Sequence, residues 1–185
     1  GHKLPQRMVF GPAVLAVGVL LGLRAWVNPL LAGLGIWLTY RLGRRVFNPG
    51  IGLLAAGLTL SSPFFLMNSG SLLSHPLGLA LAAGFALAWL RAFGAQPARR
   101  PWLPTLAAGL LLMALLLTRP LTAAAVALPF VVHGLIRLVR GDWKQRRRLL
   151  TVALAGLAGA ALYLYRQYSL TGDPLLNPYT LWLPY

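Results

Sequence analysis

Arg119 stands alone between two long apolar runs, in Leu117-Thr118-Arg119-Pro120. A turn that tight keeps the guanidinium near a headgroup layer, where its planar fork of donors suits a phosphate or pyrophosphate. An arginine snorkelling from a helix end to a lipid headgroup accounts for the same placement. His75 follows Ser74 and precedes Pro76, a pattern that predicts a helix start with Ser74 as N-cap and proline in the first turn. Its imidazole then faces the outer aqueous boundary near Asn68 and Ser71, as a substrate contact or as a structural histidine with no acid beside it. Asp173, in Thr171-Gly172-Asp173-Pro174, reads first as a turn residue and second as a carboxylate able to bind a metal or a sugar hydroxyl. Tyr179, Trp182 and Tyr185 can stack on a sugar, with interfacial anchoring as the default. The substrate-binding candidates are thus Arg119, His75, Asn68, Asp173 and Tyr179.

Other chemistries are closed off by what the sequence lacks. Asp142 is the only acid besides Asp173, and it falls in a basic connection, so no paired-carboxylate or metal constellation can be assembled. Metal and cofactor are therefore left unassigned. With no cysteine there are no disulfides, thiolate nucleophiles or Cys-based metal sites.

The elements that must position these residues follow from composition. Of 185 residues 58% are hydrophobic, only 2 are acidic, and the formal charge is +15. No ordinary soluble domain is so poor in acids. A charge of this size raises the question of nucleic acid. Here, however, the basic residues fall in short clusters between long apolar runs, the pattern of membrane loops rather than of a phosphate-tracking surface. Nucleic acid is not an expected partner; the lipid bilayer is.

A spanning helix needs about 20 mostly apolar residues, and the segments 26–43, 50–67, 75–93, 102–118, 121–138 and 149–168 meet or approach that length. Their Leu, Ala and Gly content is helical rather than barrel-like. The expected fold is all-α: a polytopic transmembrane helical bundle with six spanning helices. A shorter apolar helix over 8–23 precedes them and either spans or lies along the membrane surface. Gly18 and Gly22, Gly33 and Gly35, and Ala155 with Gly159 are expected to permit close helix packing.

Charge in the connections alternates. Arg41, Arg44 and Arg45 follow the first span, Arg91, Arg99 and Arg100 the third, and Arg137 to Arg148 the fifth, whereas 61–74 has no cation and 118–120 only Arg119. By the positive-inside rule the basic group is cytoplasmic and the other outside. His133, in the cytoplasmic half of its helix, reads as packing or interfacial. Beginning at Gly1 and ending in an apolar aromatic loop, the chain reads as one transmembrane domain over 1–185, a fragment of a larger multi-span protein, with no signal peptide.

Three stretches resemble the GT-C membrane glycosyltransferases, in the branch with bacterial aminoarabinose transferase and protein O-mannosyltransferases (glycosyltransferase family 39-like). They are Tyr40-Arg41-Leu42-Gly43-Arg44-Arg45-Val46-Phe47 with the apolar helix ending Ser61-Ser62-Pro63-Phe64-Phe65, then Leu117-Thr118-Arg119-Pro120, and Thr171-Gly172-Asp173-Pro174. The resemblance implies transfer of a sugar from a polyprenyl-phosphate donor to an acceptor at the outer face of the cytoplasmic (inner) membrane, with inversion. It places a basic residue, matched by Arg119, near the donor phosphate. It also places a catalytic carboxylate in an outer loop upstream of residue 1, and residues 8–23 as juxtamembrane helices. Relatives often use a metal, and many carry an acid where this chain has His75. The alternatives are a transporter or flippase of lipid-linked sugars, or a non-catalytic membrane subunit. The transport reading is weakened by the lack of an ionisable residue in the middle third of any predicted span, and no internal repeat is evident.

Overall fold

Punctuation in the sequence sets the helix boundaries. In the computed structural model, which describes residues 16, 18–23, 25–70 and 74–176, helices α1 (Val27–Val46), α2 (Pro49–Ser61), α3 (Pro63–Ser69), α4 (His75–Phe93), α5 (Trp102–Thr118), α6 (Pro120–Arg140) and α7 (Trp143–Thr171) follow one another. Strands do not occur among the described residues. Proline stands in the first turn of α2, α3, α4 and α6, where its missing N–H is not needed and its fixed φ suits a helix. Side-chain caps supply acceptors at the starts of α2 and α7: Asn48 Oδ1 takes the Ile51 N–H at 2.9 Å and Asp142 Oδ1 takes the Gln145 N–H at 2.8 Å. Ser74 occupies the N-cap of α4 as its sequence position predicts, but its hydroxyl makes no capping bond.

Helix α4 is the central element. Of its apolar window 78% is buried, against 11% for α6 and 17% for α7. It packs on α1, α3, α5 and α6. Toward its C-terminus Phe85, Trp89 and Phe93 form an aromatic column with Phe130 of α6, next to Ala108, Leu149 and Val152. Toward its N-terminus Leu77 and Leu81 meet Leu115 and Ala123. Outer faces stay apolar: Leu121, Leu128 and Val139 on α6 and Leu154 and Leu157 on α7 are all exposed. Such a continuous apolar exterior is costly in water and favourable in a bilayer.

Close backbone approach occurs at one crossing above all. A Cβ on Gly43 of α1 would lie 2.8 Å from Gly52 Cα, and one on Gly52 would lie 2.7 Å from Tyr40 O, so α1 and α2 touch backbone to backbone. Gly159 packs on Met113 and Gly35 on Leu79, as small residues at interfaces should, whereas Gly33 faces open space and contributes no packing.

The six expected spans are reduced by this structure. Three helices are long and apolar enough to cross a membrane: α4, α6 and α7, with mean hydropathy 1.5, 1.8 and 1.5. The segment 50–67 is not one helix, because Ser62 turns extended before Pro63 and α2 and α3 meet at 66°, giving a broken span or a re-entrant hairpin. Helix α5 is apolar but only 17 residues long, about 25 Å at 1.5 Å per residue. In α1 Asn28 and Pro29 at the start and Arg41, Arg44 and Arg45 at the end dilute the apolar stretch. Residues 8–15, the first half of the short apolar run, lie outside the described residues.

Basic side chains tie one end of the bundle together. Arg45 Nη2 donates to Gln96 O, joining the end of α1 to the connection after α4. Arg148 Nη1 donates to Ala92 O at 2.9 Å and lies over the Phe93 ring, so the start of α7 caps the C-terminus of α4. Arginines beside helix C-termini meet unsatisfied carbonyls and the negative pole of the helix dipole. The basic connections of 41–48, 91–101 and 137–148 therefore share one end of the bundle, and His75 and Arg119 lie at the other.

Candidate functional site

Arg119 is the single residue between α5 and α6, and its backbone serves both. Its N–H donates to Leu115 O at 2.7 Å and its carbonyl accepts from Ala123 N at 2.9 Å. With φ −148° and ψ 80° the chain is extended there, which turns the side chain away from both helices and onto α4. The side chain is received by a notch at Gly78: a Cβ at that position would lie 2.9 Å from Arg119 Cδ and 3.5 Å from Nη1. One helical turn earlier on the same face, His75 meets the guanidinium, with Nη2 3.1 Å from Nε2.

Donor chemistry fixes the roles in that contact. A guanidinium offers only N–H groups, so Nε2 of His75 is the acceptor and the ring proton is on Nδ1. That Nδ1 is buried and has no hydrogen-bond partner among the described residues, a cost of about 1–3 kcal/mol until an acceptor reaches it. Phe64 of α3 stands edge-on to the imidazole at 5.5 Å between centroids. Asn68, one turn further along the same face of α3, is buried, with its amide N–H donating to Phe64 O at 2.7 Å. Thr118 beside Arg119 is buried and donates to Ala114 O. Among the described residues the arrangement is an arginine with one side-chain partner, a neutral histidine oriented by it, and the Phe64 ring on one side. Chemically it can bind an anion and donate to it, but it offers no free lone pair for proton abstraction: one ring nitrogen of His75 carries the proton and the other faces Arg119.

His75 and Arg119 are thus brought together, with Asn68 on the element that packs against them. Asp173 is placed elsewhere. Gly172 closes α7 in the left-handed region at φ 77°, and the Asp173 carboxylate accepts from Leu175 N at 2.9 Å while Thr171 Oγ1 bonds its backbone on both sides. The exposed Asp173 is the turn residue its sequence context indicates, and no hydrogen bond or ion pair joins it to His75 or Arg119. Tyr179, Ser71 and Asn177 lie outside the described residues. Among the described residues no group of His, Asp or Glu could hold a metal ion.

Two participants escape sequence reading. Gly78 gives no signal beyond its spacing of three from His75. The second is a contact at the opposite end, where Trp89 Nε1 donates to His133 Nδ1 at 3.0 Å and Arg137 Nε sits 3.3 Å from Nε2. Gly134 makes room for it, since a Cβ there would lie 3.2 Å from Trp89 Cη2. Both histidine contacts join residues 44 apart in sequence, so α4 and α6 run parallel in constant register from one end of the bundle to the other.

Comparison with known protein families, curated proteins and solved structures finds no match.

Proposed function

We propose that this chain is part of a polytopic membrane glycosyltransferase that transfers a sugar from a polyprenyl-phosphate donor to an acceptor at the outer face of the cytoplasmic membrane. The observation that carries the reading is the Arg119–His75 pair: a cation seated in a glycine notch at a half-buried helix junction, beside a buried N–H donor awaiting an acceptor. In this reading the arginine-rich end is cytoplasmic, as positive charge on short loops favours, and the pair faces the opposite surface. Helices α1, α2–α3 and α5 complete six crossings, with α2–α3 as a broken one.

Transfer forms a bond from the acceptor's nucleophilic atom to the anomeric carbon as the bond from that carbon to the phosphate oxygen breaks. The electron pair leaves with polyprenyl phosphate, so negative charge grows on the leaving group. Arg119, fixed before reaction by its notch and by His75, stabilises that charge without reorganising. His75 orients the guanidinium and donates through Nδ1; the acceptor's proton goes to a base outside this pair.

The test is release of free polyprenyl phosphate, a product common to every sugar and acceptor, by the protein in lipid nanodiscs supplied with polyprenyl-phosphate sugars. Arg119→Ala is expected to weaken donor binding by about 1.5–3 kcal/mol, the worth of hydrogen bonds to a charged group. Arg119→Lys should recover part of it, since charge survives and the bidentate fork does not. Wild-type release by Arg119→Ala, with normal membrane insertion, would leave Arg119 as a headgroup anchor and remove the support for this function.

A further inference from the structure

A groove of about 520 Å³ runs between α1, α4 and α5 and is lined by neither His75 nor Arg119. Its walls are almost wholly apolar, including Leu34, Leu38, Leu81, Leu87 and Leu111, and it extends along α4 from Leu77 to Arg91. That length is about 21 Å at 1.5 Å per residue, more than half of a hydrocarbon core about 30 Å thick. Arg91, the one charged lining residue among the described residues, closes the groove at the arginine-rich end.

Positive charge converges on that mouth without compensation. Arg91 is half-buried, has no hydrogen-bond acceptor among the described residues, and lies within electrostatic reach of Arg41 and Arg45. Arg45 holds the connection through Gln96 O, Ala98 of the same connection lines the groove, and Ala98 N donates to Arg91 O at 2.8 Å. Arg41 stacks on Trp37, 5.0 Å from the ring centroid, on the helix that forms the groove's other wall. No acid answers them: Asp142 and Asp173 are the chain's only carboxylates, and each accepts a backbone N–H of its own turn. Like charges held together at the end of an apolar channel are stable when an anion sits among them, and basic pockets between membrane helices take anionic headgroups.

We propose that the α1–α4–α5 groove is a binding site for an anionic diacyl phospholipid of the leaflet at the arginine-rich end, with an acyl chain along the leucine wall and the phosphate between Arg91, Arg41 and Arg45. The site is separate from the sugar-donor reading and stands or falls without it. A zwitterionic lipid fits the same wall but brings its own cation to a mouth already crowded with positive charge. An anionic one neutralises the mouth.

The purified chain in mild detergent is titrated with phosphatidylglycerol or phosphatidylcholine, reading lipid retained in native mass spectra and the shift in thermal unfolding. Wild type should retain phosphatidylglycerol in preference to phosphatidylcholine by about tenfold, and Arg91→Gln should erase most of that preference. Leu34→Trp, which fills the groove from its accessible wall, should abolish retention with all arginines intact, and it keeps the proposal testable should Arg91→Gln fold poorly. Arg99→Gln, at an exposed position on the same connection, should change nothing. Equal retention of the two lipids, or an effect of Arg99→Gln as large as that of Arg91→Gln, would overturn the site in favour of diffuse surface attraction. Unchanged retention in Leu34→Trp, or a dimer or bound peptide in place of lipid, would overturn the choice of occupant.

Discussion

At the residue scale the site depends on a glycine as much as on the two polar side chains it serves. Gly78 leaves room for the Arg119 side chain at a spacing where an added methyl group would sit 2.9 Å from Cδ. Because that atom belongs to a flexible side chain, Gly78→Ala should be absorbed by a small shift, while Gly78→Val should push the guanidinium off His75. Overpacking of this kind costs about 1–3 kcal/mol. Thermal unfolding in detergent should show the two variants in that order, and donor binding should fall with Gly78→Val as it does with Arg119→Ala. Equal donor binding in wild type and Gly78→Val would mean that the notch does not position Arg119. Arg119 and His75 were each legible from their types and their proline-marked neighbours. Their pairing was not, because it depends on parallel packing of helices 44 residues apart. Asp173 was legible as a turn residue for the same local reason that kept it from the pair: its carboxylate is engaged by Leu175 N two residues on.

At the scale of elements, α4 and α6 are joined at their far end by Trp89, which donates to one nitrogen of His133, while Arg137 of α6 itself is aimed at the other. A neutral imidazole accepts at only one of them. The shorter contact, 3.0 Å from Trp89, marks Nδ1 as that acceptor over the 3.3 Å contact from Arg137. Trp89→Phe, which keeps most of the ring packing, should therefore cost about 0.5–1.5 kcal/mol, and Arg137→Met should cost less than half as much. Unfolding midpoints of the two single variants check the order; a larger loss from Arg137→Met would reverse the assignment. Helix identity was readable at this scale and helix continuity was not. Apolar composition carries straight through 50–67, but Ser62 accepts from Phe65 N at 3.4 Å and starts a new helix before Pro63. A local cap and a proline thus outweigh the hydropathy of the window around them.

On the scale of the whole molecule, the absence of cysteine makes the orientation directly measurable. Helix α7 has 29 residues, about 43 Å at 1.5 Å per residue, so Lys144 and Asp173 stand on opposite sides of any bilayer it crosses. Lys144→Cys should stay unlabelled by an impermeant thiol reagent in intact cells, and Asp173→Cys should label; the reverse result would invert the assignment of both faces. The alternation of loop charge indicated in sequence which connections belong together, and Arg45 and Arg148 show why: Arg45 bonds a carbonyl of the connection after α4 and Arg148 one at the C-terminus of α4.

The constant offset of 44 between α4 and α6 makes the pair a strut pinned at both ends. Sliding one helix past the other by a turn, about 5.4 Å, would break the Arg119–His75 and Trp89–His133 contacts together, so neither end can yield alone by translation. Pro129 interrupts α6 just short of the second pin, which leaves bowing at that proline as the compliant mode. A cycle that rocks one half of a bundle against the other would have to carry these two helices as a single rigid body, whereas a reaction at a fixed membrane surface asks no motion of them at all.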